Sequence, residues 1–297
     1  MQPNYTKRIV AVVIVVAVVI GIGIFVSLRP ATTVPVASPT PVAQVPAEVH
    51  SVIGQSVKGR NIDAYTYGNG PTHLLFVGGI HGGYEWNSVL LAYTFMDYLD
   101  ANPATIASNM TITVVPSANP DAVFAVTGKE GRFTKADVST DTKVLEAARF
   151  NADKVDLNRN FDCKWQPKST WQSKTVSAGK KVFSEPEAQV IRDYVESFQP
   201  SAAVFWHSQS NAVYASQCLK GILPDTLEIM NAYAGASKYP AVKVFDAYTT
   251  TGAADDWMAS MNMPAITVEL STHNDIEWDR NLAGVKALLE YFSRSTN

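Results

Sequence analysis

Two short stretches carry side chains whose types and spacing could hold a metal ion. In GGIHGGYEW, residues 78–86, His81 closes an apolar run and Glu85 follows across two glycines and a tyrosine. An imidazole and a carboxylate set so closely can chelate one divalent cation, and glycines let the backbone turn tightly between them. Read alone, the same stretch also fits a glycine-rich turn with a helix-capping glutamate. In FWHSQS, residues 205–210, His207 closes a second apolar run, the position His81 takes in the first. Two histidines and one carboxylate make the three-ligand set of a catalytic zinc site, which leaves a fourth position for water. Structural zinc is usually enclosed by cysteines, and the chain has only Cys163 and Cys218.

Two further stretches add acid–base and anion-binding chemistry. Glu269 stands near the end of the apolar run in ITVELS, residues 266–271. A carboxylate there is costly unless it is paired, solvated or functional. Beside a metal it could take the proton of an activated water and hand it to a leaving amine. In VDLNRNFD, residues 155–162, Asn158 precedes Arg159, with Arg149 nine residues before Asn158. Arginine beside asparagine can grip a carboxylate through several directed hydrogen bonds, although a surface loop would read the same way. His50 and His73 lie at a linker edge and a strand start and read as structural. His273, just beyond Glu269, stays open.

These residues need elements to place them. Compact apolar runs at 73–78, 110–115, 202–206, 242–245 and 265–270 predict strands covered on both faces. Helices are expected over 86–99, over 185–198 with Ser184 as N-cap, and over 281–292. Alternating strands and helices predict one α/β domain, a mixed, mostly parallel twisted sheet flanked by helices. In such sheets ligands gather at the C-terminal ends of strands, where His81 and His207 fall. Residues 116–183 show little periodicity and read as active-site loops.

In order along the chain these pieces resemble the zinc carboxypeptidase family, the carboxypeptidase A-like metallopeptidases. GQSVKGRNI (54–62) is similar to the family's opening segment and GGIHGGYEW to its first metal motif. PSANPD (116–121) and VDLNRNFD match two interior signatures, and FSEPEAQVI (183–191) the helix before the third ligand. WHSQS matches that ligand and TVELS the catalytic glutamate. The resemblance spans about residues 50–295. It implies one zinc ion on His81, Glu85 and His207, Glu269 as general base and acid, and Asn158 with Arg159 on the substrate's terminal carboxylate. It also implies that Arg149 polarises the scissile carbonyl, with Arg132 a competitor for that place. Tyr248 would be the mobile tyrosine that closes over substrate. Asp255, in TGAADDW, would read the outgoing side chain. If it faces that pocket, it favours C-terminal lysine, arginine or a diamino acid such as diaminopimelate; the alternative is a helix cap or a solvent-facing carboxylate. The sequence departs from the family in spacing, with three residues between His81 and Glu85 where two are usual. Cys163 and Cys218 should border the same cleft, which makes a disulfide between them plausible.

The resemblance implies release of C-terminal residues from peptides. The competing readings are an amidase or deacylase acting on N-acyl amino acids, and a catalytically inactive envelope binding module. A net charge of -3 over 297 residues gives no electrostatic case for nucleic acid. The unusual end is residues 9–26, all apolar or glycine, behind Lys7 and Arg8. Such a run can cross most of a ~30 Å hydrocarbon core, and the preceding charges keep the N-terminus inside. The expected organisation is therefore a cytoplasmic N-terminus (1–8), a transmembrane signal-anchor (9–27), a proline-rich linker (28–48) and an extracytoplasmic catalytic domain (49–297). A cleaved signal peptide, which would make the domain secreted, is the alternative.

Overall fold

The computed structural model describes residues 48–294. The expected segments 1–8 and 9–27, and the linker up to residue 47, lie outside that range. Among the described residues no helix is long and apolar enough to cross a membrane.

Strands β1 (Val49–Gln55), β2 (Asn61–Gly68), β3 (Thr72–Val77) and β4 (Met110–Val115) come first. A hairpin of β5 (Lys168–Trp171) and β6 (Lys174–Ser177) follows, then β7 (Ala202–Ser208), β8 (Ala212–Ala215), β9 (Ala241–Val242) and β10 (Ala265–Leu270). Helices α1 (Trp86–Ala101), α2 (Pro120–Thr127), α3 (Thr142–Ala147), α4 (Pro186–Phe198), α5 (Pro224–Ser237), α6 (Ala254–Ser260) and α7 (Trp278–Arg294) lie between and after them. One sheet runs β1-β2-β4-β3-β7-β10-β8-β9. Its centre, β4-β3-β7-β10, is parallel, while β1–β2, β2–β4 and β8–β10 pair antiparallel. The parallel centre matches the expected runs, because only strands buried on both faces read as unbroken apolar sequence.

The two faces feed two cores. Leu74, Phe76, Val204 and Trp206 pack with α1, α5 and α7. Leu75, Val77, Ala203, Phe205 and Ala265 face the other way, towards α4 and α6. Continued by the period of two, that second face carries His207 on β7 and Glu269 on β10. The two are register partners across the parallel pair, so their side chains emerge beside one another.

Several expectations need correction. The strand expected at 242–245 is only Ala241–Val242, because the following residues leave the sheet and form a loop along the cavity described below. Residues 116–183 are more than loops: α2, α3 and the β5–β6 hairpin lie there. All are short, and helices of eight and six residues are too brief for an apolar period to stand out. The helix expected from residue 185 starts at Pro186 with Glu185 as N-cap, and the Ser184 hydroxyl donates to the Glu185 carboxylate instead.

Candidate metal centre and active site

His81 leaves β3 through Gly78 and Gly79, and a short 3-10 turn over Gly82–Glu85 carries the chain into α1. The three residues between the two expected ligands, Gly82, Gly83 and Tyr84, all lie in this turn. Its packing explains the glycines. A Cβ on Gly83 would stand 2.5 Å from the Ala122 carbonyl oxygen and 2.5 Å from a Val126 methyl, so α2 packs directly on the turn. Any larger residue would have to separate the turn from α2.

The three expected ligands converge. His81 Nδ1 lies 2.7 Å from Glu85 Oε1, and His207 Nδ1 lies 2.9 Å from Glu85 Oε2 and 3.2 Å from His81 Nδ1. One ligand atom from each residue falls within 4.8 Å of the others, and all three side chains are buried. Two nitrogen lone pairs and a carboxylate turned on one point suit a divalent cation, and the donor set is that of catalytic zinc. The three side chains also set one another's charge. Burial alone would raise the Glu85 carboxyl, but His81 and His207 hold it well below its ordinary range. Burial lowers the His207 imidazole, and Glu85 outweighs it, leaving the ring raised.

Asp156 was not singled out from the sequence, although it stands inside VDLNRNFD. It is fully buried, with Oδ1 3.2 Å from His81 Nε2. Its Oδ2 accepts from Arg149 Nε at 3.1 Å and Nη2 at 2.9 Å. A carboxylate on the far nitrogen fixes the tautomer and plane of a metal-facing histidine. Burial would raise this acid, yet Arg149, Arg159 and His81 hold it well below its ordinary range.

All nine residues picked from the sequence line one cavity of about 120 Å³: His81, Glu85, Arg149, Asn158, Arg159, His207, Tyr248, Asp255 and Glu269. Arg149 Nη1 also lies 3.6 Å from Glu85 Oε1. Arg132, its competitor, pairs with Asp97 at a half-exposed position and does not line the cavity. Arg159 is held by backbone carbonyls, Nη1 donating to Asn158 O at 2.7 Å and Nη2 to Thr170 O at 3.0 Å. Asn158 Oδ1 accepts from the Ala254 amide at 2.9 Å, which ties this loop to the start of α6. Gly252 lets the loop before α6 close on it: its φ is +70°, and a Cβ there would meet the Arg159 carbonyl oxygen at 2.3 Å. Tyr248 packs on Phe245, and Phe245 on Tyr214 of β8, two cavity aromatics that sequence reading missed.

Glu269 accepts a hydrogen bond from the Ser210 amide at 3.2 Å. Burial, reinforced by Glu85, pushes its carboxyl up to about 7, with His207 acting the other way. Asp255 is buried, accepts from Thr267 Oγ1 at 3.0 Å, and is raised by that burial. Asp256 beside it also lines the cavity and is pushed up to about 8, first by burial and then by Asp255. The Cys163–Cys218 disulfide forms, Cα to Cα 6.0 Å, and joins the segment after Arg159 to the one carrying the cavity residue Gln217. His273 lies outside the cavity lining, its Nδ1 2.6 Å from Ser208 Oγ.

The profile of the zinc carboxypeptidase family matches residues 42–282. No curated protein matches the chain. Among solved structures, the murein-tripeptide amidase MpaA of Escherichia coli O157 superposes with a TM-score of 0.59 at 22% identity, over 83% of this chain and 93% of that one. Carboxypeptidase A of Helicoverpa armigera gives 0.58 at 18% identity, over 82% and 69%. An aspartoacylase family protein of Mesorhizobium loti gives 0.51 at 19% identity, over 84% and 68%. At these identities the structures share a fold with the chain.

Proposed function

Since the chain belongs to the zinc carboxypeptidase family, we propose that it is a zinc-dependent exopeptidase that hydrolyses the C-terminal peptide bond of peptides. One observation carries the reading. A three-ligand metal centre, a half-buried glutamate and two arginines line one small cavity, so a scissile carbonyl and a free terminal carboxylate can be held together.

His81, Glu85 and His207 would hold one zinc ion, which when bound supplies a Lewis acid for the scissile carbonyl. Every other step belongs to the chain's own residues. Arg159 and Asn158 bind the terminal carboxylate and fix which bond lies over the centre. The Arg149 Nη1 group, beside Glu85, donates to the oxygen that gains charge as the carbonyl becomes tetrahedral. Glu269 takes a proton from the attacking water and returns it to the departing amine. A carboxyl raised to about 7 is well matched to both halves of that transfer near neutral pH. Tyr248 closes over the bound residue from its perch on Phe245. Asp255 and Asp256 favour a cationic outgoing side chain, lysine or arginine, because an ammonium or guanidinium would relieve two carboxylates that burial disfavours.

Residues 9–27 are proposed as the anchor that places the domain outside the cytoplasm. The disulfide supports that placement, since such bridges persist where the surroundings are oxidising.

Two peptides that differ only at the C-terminus, free carboxylate against amide, test the reading by mass spectrometry. The exopeptidase shortens the first by one residue and leaves the second intact. Equal cleavage of both would favour an amidase that ignores the terminal charge.

A further inference from the structure

The β5–β6 hairpin stands apart from the main sheet as its own two-stranded sheet. Two strands alone are at best marginally stable in water, so its position rests on what it touches. Three consecutive residues of β5 touch three parts of the site. Ser169 Oγ accepts from Thr251 Oγ1 at 3.0 Å, in the loop that carries Tyr248. Thr170 O accepts from Arg159 Nε at 3.3 Å and Nη2 at 3.0 Å. Trp171 lays its indole against Arg149, whose Cζ is 4.6 Å from the ring centroid. On β6, Ser177 O accepts from the Asp156 amide at 2.9 Å.

Trp171 is the contact made by a side chain with a face to offer. The Asp156 carboxylate fixes Arg149 within the plane of its guanidinium, through Nε and Nη2. An in-plane pair leaves the tilt of that plane unset, and a flat aromatic surface sets it. The indole is itself held edge-on by Tyr84 at 5.3 Å and Phe150 at 6.1 Å, and is 5% exposed. It also helps to keep water from Arg149, which is 3% exposed. A cation over an aromatic face is attracted more strongly when both are desolvated.

We propose that Trp171 is a positioning residue: its indole face sets Arg149, and through Arg149 and Asp156 it orients His81 in the metal centre. The effect on rate rests on the exopeptidase reading, whereas the effect on metal retention does not.

The test compares Trp171→Leu, which removes the face, with Trp171→Phe, which keeps one, in the full zinc-loaded chain. Zinc release to a colorimetric chelator and steady-state hydrolysis of a peptide ending in lysine are both measured. Trp171→Leu should release zinc on the order of tenfold faster, as loosened support of a metal-bound histidine does. Its kcat should fall on the order of tenfold with KM within about twofold, because misplacing a group that acts on the developing charge slows the chemistry more than binding. Trp171→Phe should recover both to within about threefold of the parent. Should the leucine variant not fold, Trp171→Met, which fills the space without a face, takes its place with the same losses expected. Parental zinc release and kcat in the faceless variant overturn the proposal, as does a phenylalanine variant no better than it. A parent that cuts no peptide sinks the exopeptidase reading, and zinc release still decides the role of Trp171.

Discussion

Replacing Asp156 by asparagine keeps its shape and removes its charge at the residue on which the metal centre leans. The carboxylate is fully buried, receives two N–H groups of Arg149 at 3.1 and 2.9 Å, and faces His81 Nε2 at 3.2 Å. An asparagine there can accept through one oxygen and must turn an N–H towards either the guanidinium or the imidazole N–H. Breaking a buried pair by removing one partner costs about 3–5 kcal/mol, because the other charge stays in a poor solvent. Glu85, 3.6 Å from Arg149, still offers that arginine an anion, so the loss should fall near the lower end, about 3 kcal/mol. For the metal, losing a carboxylate behind a histidine ligand weakens binding roughly 10–100-fold. Urea unfolding of zinc-free protein reads the first quantity and chelator competition on folded protein reads the second. An unfolding midpoint and zinc affinity both within error of the parent would refute the argument that Asp156 holds His81.

Two more outcomes follow from the cavity. Asp255→Ala should abolish a preference for C-terminal lysine over leucine in otherwise identical peptides, measured as a ratio of kcat/KM; faster release of leucine by the parent would count against the assigned pocket. Glu269 must be ionised to accept a proton, and its carboxyl is pushed up to about 7, so kcat/KM should fall as pH drops through and below that value. A bound cation draws the midpoint lower without changing the sign, and a rate that rises on acidification would contradict the base role.

Much of the site was legible because its residues interrupt apolar runs. His81 follows β3 and His207 lies near the end of β7, both strands buried on both faces, and Glu269 breaks the pattern of β10, so each stands out against its neighbours. Asp156 did not stand out. It lies in a polar stretch, and its importance comes from residues 75 positions away and seven positions away meeting on its two oxygens. Asp256 was hidden beside Asp255 for a similar reason, since only the packing of α6 on the cavity shows that both carboxylates reach it. The parallel centre of the sheet was readable from continuous hydrophobicity. The edge strand β1 and its neighbour β2 were not, because β1 is largely exposed and β2 mixes polar residues among its buried ones. The hairpin of β5 and β6 carries lysines, serines and threonines, and only Trp171 and Val176 hint that one face is covered.

Glu269→Gln tests the central claim most directly, provided that zinc content and turnover are read on the same preparation. The side chain keeps its volume and can still accept from the Ser210 amide, but it cannot take a proton from water. The account predicts that the variant binds one zinc as the parent does and releases C-terminal lysine roughly 10²–10⁴-fold more slowly, the usual contribution of a general base. Turnover within about twofold of the parent at full zinc occupancy would contradict it.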